Sequence, residues 1–342
     1  MKRLSVLAIL ALGLLVQVSW AQTKSMKIAY IPCGRVNDKS WSEAEYIGAL
    51  AGKKALEEKA VQVQLDYSES LPVAKVETAS RDYASRGHNP VILHCGTFAE
   101  AALRAAKDFP NTWFLVAATP LFAKNVAAYD PAQHEGSFVM GYLAGLMTKT
   151  NRVAAIGGFD FPALTRQVEG FKFGARYANP KVKVFSTYID SWEDAAKAKE
   201  AALAQIEGGA DVVFAATDQA ARGVFSAAQE RKVYAIASYE DQAAMAPDTI
   251  LTSVLYDTPL LVKQTVLKVH DASIEGKVYK VGMAGGIGHF APYYKMEKVI
   301  LKEVQDKVAK LIEDIKAGRI MVPEFIKPGL SDKEDPQKVL KR

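Results

Sequence analysis

Two tryptophans and a few carboxylates carry most of the recognisable chemistry in this chain. Trp41 ends the run Asn37-Asp38-Lys39-Ser40-Trp41, and Trp192 sits within Asp190-Ser191-Trp192-Glu193-Asp194. An indole offers a broad apolar face, and stacking on a second flat ring contributes roughly 0.5–1.5 kcal/mol beyond the area buried. Each tryptophan serves equally well as an apolar plug over its own sheet. Asp130, Asp218 and Asp241 follow the apolar runs 126–129, 211–215 and 233–237. At the carboxyl end of a strand, a carboxylate can accept N–H or O–H groups from a bound molecule, or cap the next helix. Asp130-Pro131 also suits a plain turn. Phe98 and Glu100, just past the run 90–94, reach toward the same space.

Other chemistry is poorly represented. The five histidines (His88, His94, His134, His270 and His289) show no pair at metal-ligand spacing. There is no Gly-x-Ser-x-Gly elbow, Walker loop or dinucleotide fingerprint. The sequence therefore predicts a non-enzymatic protein without metal, cofactor or catalytic group. Cys33 and Cys95 are the two cysteines. They end the first and third predicted strands, which are neighbours about 4.8 Å apart in the commonest doubly wound order. That is within reach of a disulfide, and free thiols bordering a cleft are the alternative.

The elements that must hold these residues alternate. Strands are predicted at 27–32, 61–67, 90–94, 112–117 and 126–129, with helices at 42–60, 73–86 and 99–107. The pattern then repeats through strands at 152–156, 183–189, 211–215, 233–237 and 249–255, with helices at 137–148, 164–178, 193–207 and 220–231. A helix at 259–272, a strand at 277–283 and a charged helix at 298–317 follow. Such alternation gives parallel sheets with helices on both faces, whose ligands bind beyond the strands' carboxyl ends. The fold class expected is α/β, with two doubly wound parallel-sheet lobes joined by a hinge. Lobe 1 is assigned to 27–132 plus 253–275, lobe 2 to 133–252 plus 276–290, and a C-terminal helix and tail to 291–342. The Pro-rich charged end after Pro323 is expected to be loosely held.

Lys2-Arg3, an apolar run to Val18 and the small residues Ser19 and Ala21 have the form of a cleaved export signal over residues 1–21. The apolar run is shorter than the roughly 20 residues a membrane span needs. No cysteine follows the cut to carry a lipid anchor, so a freely diffusing periplasmic protein is expected. Lys plus Arg number 43 against 38 acidic residues, a formal charge of +5 that falls to +3 without Lys2 and Arg3. That charge makes no case for nucleic acid as a partner.

Several blocks resemble the basic membrane protein (BMP) family of exported binding proteins. They are Asn37 to Trp41, Glu135-Gly136-Ser137-Phe138, Gly141 to Met147, Ile156-Gly157-Gly158, Gly170-Phe171, Gly174-Ala175, Ser191-Trp192, Gly208 to Phe214, Asp241-Gln242 and Leu251-Thr252-Ser253. The resemblance covers about residues 27 to 290 in the family's order. It implies a type I periplasmic-binding-protein fold and a purine ligand delivered to an ABC transporter permease, by a receptor expected to be monomeric. It also implies that Trp41 and Trp192 stack on the base, while Asp218 and Asp130 bond its N–H edges and Asp241 supports the pocket. The hinge strand ends Val254-Leu255-Tyr256-Asp257, without the lysine usual in nucleoside-binding members. The Ser-Trp and Thr-Asp steps are similar to adenine-binding members, so a free base is the first expectation and a nucleoside the second. The alternatives are a same-fold receptor for a sugar, amino acid or signal molecule, and a secreted nucleoside hydrolase.

Overall fold

The computed structural model describes residues 25–340; the export signal expected over residues 1–21 lies outside them. The first half runs β1 (Ser25–Pro32), α1 (Trp41–Glu57), β2 (Gln62–Tyr67), α2 (Val73–Ser85), β3 (Val91–His94), α3 (Ala99–Asp108), β4 (Phe114–Ala117) and β5 (Val126–Pro131). The second continues with α4 (Gln133–Met147), β6 (Arg152–Gly157), α5 (Pro162–Ala178), β7 (Lys183–Tyr188), α6 (Ala195–Glu207), β8 (Val212–Ala216), α7 (Ala221–Arg231), β9 (Tyr234–Tyr239) and β10 (Ile250–Leu255). Then come α8 (Thr258–His270), β11 (Val278–Val281), β12 (His289–Phe290), α9 (Lys302–Lys316) and α10 (Pro336–Val339). Central strands β4 and β8 are apolar and buried throughout, as strands covered on both faces must be.

Two sheets result, with orders β11-β5-β4-β3-β1-β2 and β12-β10-β9-β8-β6-β7. All pairings are parallel except β10 with β12. This is the two-lobed, doubly wound α/β fold expected from the alternation. Two chain assignments need correction. β10 pairs with β9 in the second sheet, so the return to lobe 1 falls after Leu255 rather than at 253. β11 pairs with β5 in the first sheet, so the segment 276–290 is divided between lobes instead of lying wholly in lobe 2. Which sheet a terminal strand joins is decided by long-range backbone pairing, which the local pattern does not encode.

The α4–α5 contact anchors lobe 2. A Cβ on Gly141 would stand 1.9 Å from the Phe171 carbonyl oxygen, and one on Gly174 the same distance from that of Phe138. The two helices therefore touch backbone to backbone, which no larger residue permits.

The tail is not loose. Glu169 on α5 is buried, and its carboxylate accepts the N–H groups of Gly329 and Ser331, the Ser331 hydroxyl and the Lys172 ammonium. Phe325 packs on Phe173, with ring centroids 5.1 Å apart. A buried carboxylate needs donors to offset its lost hydration, and the tail supplies three of these four.

Candidate functional site

The chain passes between the sheets three times, near 131–133, 255–258 and 281–289. The carboxyl ends of both sheets border one slot on the inter-lobe side. Its free space is small, about 20 Å³, and both Trp41 and Trp192 contribute to its lining. One indole comes from each lobe.

Trp41 is the first residue of α1. Asp38 fixes that helix start, its carboxylate accepting the N–H groups of Ser40, Ser42 and Glu43, which satisfies donors a helix N-terminus leaves free. Behind the indole lies His94, stacked at a centroid distance of 4.4 Å. His94 Nδ1 is 2.7 Å from the Tyr129 hydroxyl, and its Nε2 is 2.8 Å from Glu45 Oε2. All three of these polar side chains are fully buried. Burial drives the His94 imidazole down to about 3, so the ring is uncharged at neutral pH, and burial pushes the Glu45 carboxyl well up. The result is a rigid neutral backing for one face of Trp41.

Trp192 is held differently. It follows β7, lies half-buried, and meets Phe159 at 5.0 Å and Phe161 edge-on at 6.2 Å. Gly158 makes room for it, since a Cβ there would come within 2.2 Å of the indole ring.

Asp218 also borders the slot. Its Oδ1 accepts the Ser40 hydroxyl at 2.9 Å, a contact that joins the lobes. Burial, and then the charge of Asp38, push its carboxyl well above the usual range. Asp218 has φ +47, a left-handed conformation that aspartate tolerates better than most residues.

The other expected residues lie elsewhere. Asp130 is buried, but both its oxygens are taken by the Arg166 guanidinium, with the Nη1–Oδ2 distance 2.8 Å. It borders a separate depression together with Lys280 and Glu324. Asp241 accepts the Tyr294 hydroxyl at 2.6 Å and lines a surface pocket beside Pro247. Phe98 is buried in the lobe 1 core and touches a groove on the far side of Trp192. Glu100 is exposed in the first turn of α3. Cys33 and Cys95 are joined by a disulfide with Cα atoms 5.4 Å apart, because β1 and β3 are adjacent and in register at Pro32 and His94.

The slot also contains polar residues that the sequence did not advertise. Gln133 opens α4, Gln167 sits mid-α5 and Tyr239 ends β9; all three border the slot and are buried. The Tyr239 ring meets the Trp41 indole edge-on at 5.7 Å across the lobes. Gln167 could have been suspected from Ala163 four residues earlier, which puts a small and a polar residue on one face of α5. Among the described residues no group of three or more His, Cys, Asp or Glu could hold a metal ion, and no helix is long and apolar enough to cross a membrane. In this closed arrangement the slot has room for about one water molecule; with the lobes parted, its indole faces and its amide, hydroxyl and carboxyl groups suit a thin, flat, mostly apolar molecule with a polar edge.

Known proteins share this architecture. The chain is 27% identical over 298 residues to a purine-binding protein of Brucella abortus, covering 87% of this chain and 83% of that one. It is 26% identical to an ABC transporter nucleoside-binding protein of Lactococcus lactis, covering 84% and 86% respectively. The crystal structure of an ABC transporter solute-binding protein from Aeropyrum pernix superposes with a TM-score of 0.78 at 19% identity, over 91% of this chain and 96% of that one. The model of the family described as ABC transporter substrate-binding protein PnrA-like (Bmp) matches residues 25–325, and the chain belongs to that family.

Proposed function

We propose that this chain is a periplasmic receptor that captures a purine in the inter-lobe slot, free base before nucleoside, and hands it to the permease of an ABC importer. The observation that carries this reading is the presence of an indole from each lobe on the lining of a single slot. A flat heterocycle lying between them is held by stacking, and Asp218, at the rim of the same slot, faces its N–H groups. The names of the Brucella and Lactococcus relatives point the same way. The family's role as substrate-binding proteins supports a permease as the partner.

Mass spectrometry of the small molecule released on denaturing the purified protein tests the reading; adenine or another purine is expected, and a sugar or amino acid overturns it. Calorimetry with added adenine gives the residue-level check. Trp192→Ala should weaken binding by roughly 1–3 kcal/mol, as base–aromatic stacks do. Trp192 is the cleaner target, because Trp41 is built into the lobe 1 core.

A further inference from the structure

Gln167 is 2% exposed. Its Nε2 donates to Gln133 Oε1 at 2.9 Å and lies 3.4 Å from the Tyr239 hydroxyl. Its own Oε1 is buried and has no hydrogen-bond partner. A buried amide oxygen without a donor costs on the order of 1–3 kcal/mol, so native proteins seldom leave one unmatched. Gln133, Gln167 and Tyr239 all border the ligand slot. The unmatched acceptor therefore belongs to a residue of the slot wall, whose amide nitrogen is held by Gln133.

We propose that the Gln133–Gln167 pair is the edge-reading element of the slot, and that Gln167 Oε1 accepts an N–H from the exocyclic amino group of an aminopurine. This rests on the purine reading above and sharpens it. With one Nε2 hydrogen donated to Gln133 Oε1 and the other to the Tyr239 hydroxyl, only an acceptor is left on Gln167. A ligand that brings an N–H there satisfies the orphan; one that brings a carbonyl oxygen sets two lone pairs face to face. A site built around a hydrogen bond rejects ligands lacking the matching group far more strongly than a merely apolar wall does. The slot should therefore rank 6-aminopurine (adenine) above unsubstituted purine, and unsubstituted purine above 6-oxopurine (hypoxanthine).

The test is calorimetry of the full mature chain with those three bases, alongside Gln167→Met, which keeps length and loses both amide atoms. The parent should bind adenine about tenfold or more tightly than unsubstituted purine, and the variant should bring that ratio within about threefold. Trp192→Ala, by contrast, should weaken all three bases together and leave their ratios alone. If Gln167→Met lowers the unfolding temperature too far for titration, Gln133→Leu, which frees the Gln167 amide to turn, should compress the same ratio.

The failures are distinguishable. A parent that binds purines through Trp192 but does not separate adenine from unsubstituted purine overturns the edge-reading role alone, and means that Oε1 meets only water. A preference for hypoxanthine does the same, since it requires the amides to be reversed. Unchanged ratios in both glutamine variants also overturn it. A parent that binds none of the three bases overturns the purine reading and this inference together.

Discussion

Asp218 and Asp130 are two buried aspartates at strand ends, each reaching across to the opposite lobe, and they have opposite surroundings. Asp130 meets a guanidinium: both its oxygens bind Arg166, with the Lys280 ammonium 3.7 Å away. Asp218 meets a hydroxyl from Ser40, and its titratable neighbours are the acids Asp38 and Glu45 rather than a cation. In sequence the two look alike, since each follows an apolar run. Burial alone therefore does not make a binding carboxylate. A carboxylate is open to a ligand when the protein has withheld the counter-charge, and it is structural when the protein has supplied one.

The largest effect should come from removing that counter-charge. Arg166→Met leaves Asp130 buried with only the more distant Lys280, and breaking a buried pair from one side typically costs about 3–5 kcal/mol. Urea unfolding should show a loss near the lower end of that range, about 3 kcal/mol, because Lys280 offsets part of it. A loss below about 1 kcal/mol would mean that the two aspartates do not differ as described.

Asp218→Asn should behave in the opposite sense. With its carboxyl raised by burial and then by Asp38, Asp218 favours the protonated form in the folded state more than in the unfolded chain. Its contribution to stability is thus complete below about pH 4 and is lost as pH rises through its raised value. Asparagine mimics the protonated group and avoids that loss. The variant should match the parent in acid and exceed it at pH 8, read from unfolding midpoints across that range. An Asn variant that is less stable at pH 8 would show that the Asp218 charge is compensated after all.

Ser40→Ala sits between these cases. It deletes the hydroxyl that Asp218 accepts, and one such bond to a partly charged acceptor contributes about 1 kcal/mol. The loss should grow with pH, as the ionised carboxylate needs the donor more, and in the Asp218→Asn background, whose amide oxygen still accepts the hydroxyl, it should keep its acid-pH size and no longer vary with pH. Additive losses at pH 8 in a double-mutant cycle would break the link between the two residues.

Much of this was legible in the sequence, and the remainder failed for identifiable reasons. Apolar runs separated by Ala-, Glu- and Lys-rich stretches placed nearly every strand and helix, because a doubly wound fold writes its period locally. The tryptophans stood out because a large aromatic in a strand-end loop has no sheet face to fill. Gln133 and Gln167 did not, since a glutamine on a helix reads as solvated surface unless the opposing lobe is known to cover it. Glu169 and Lys172 give no local hint of their role either: they form a buried (i, i+3) pair on α5 onto which the tail folds. That Asp130 is engaged by Arg166 could not be read from the sequence, because its partner is 36 residues away.

Glu100 marks the small end of the comparison. It lies exposed in the first turn of α3, where a negative charge interacts favourably with the helix dipole. At an exposed helix start that interaction amounts to about 0.3–1 kcal/mol and is screened by salt. Glu100→Gln should therefore lower stability by no more than about 0.5 kcal/mol at moderate salt, with no change in affinity for adenine. The null effect on binding is the informative part. Glu100 is neither buried nor bordering the slot, so water already solvates its charge and nothing is withheld for a ligand to supply. If calorimetry showed a tenfold loss of affinity in Glu100→Gln, an exposed carboxylate would be acting on the ligand. Availability would then depend on something other than an enclosed, uncompensated charge, and the contrast between Asp218 and Asp130 would lose its explanatory value.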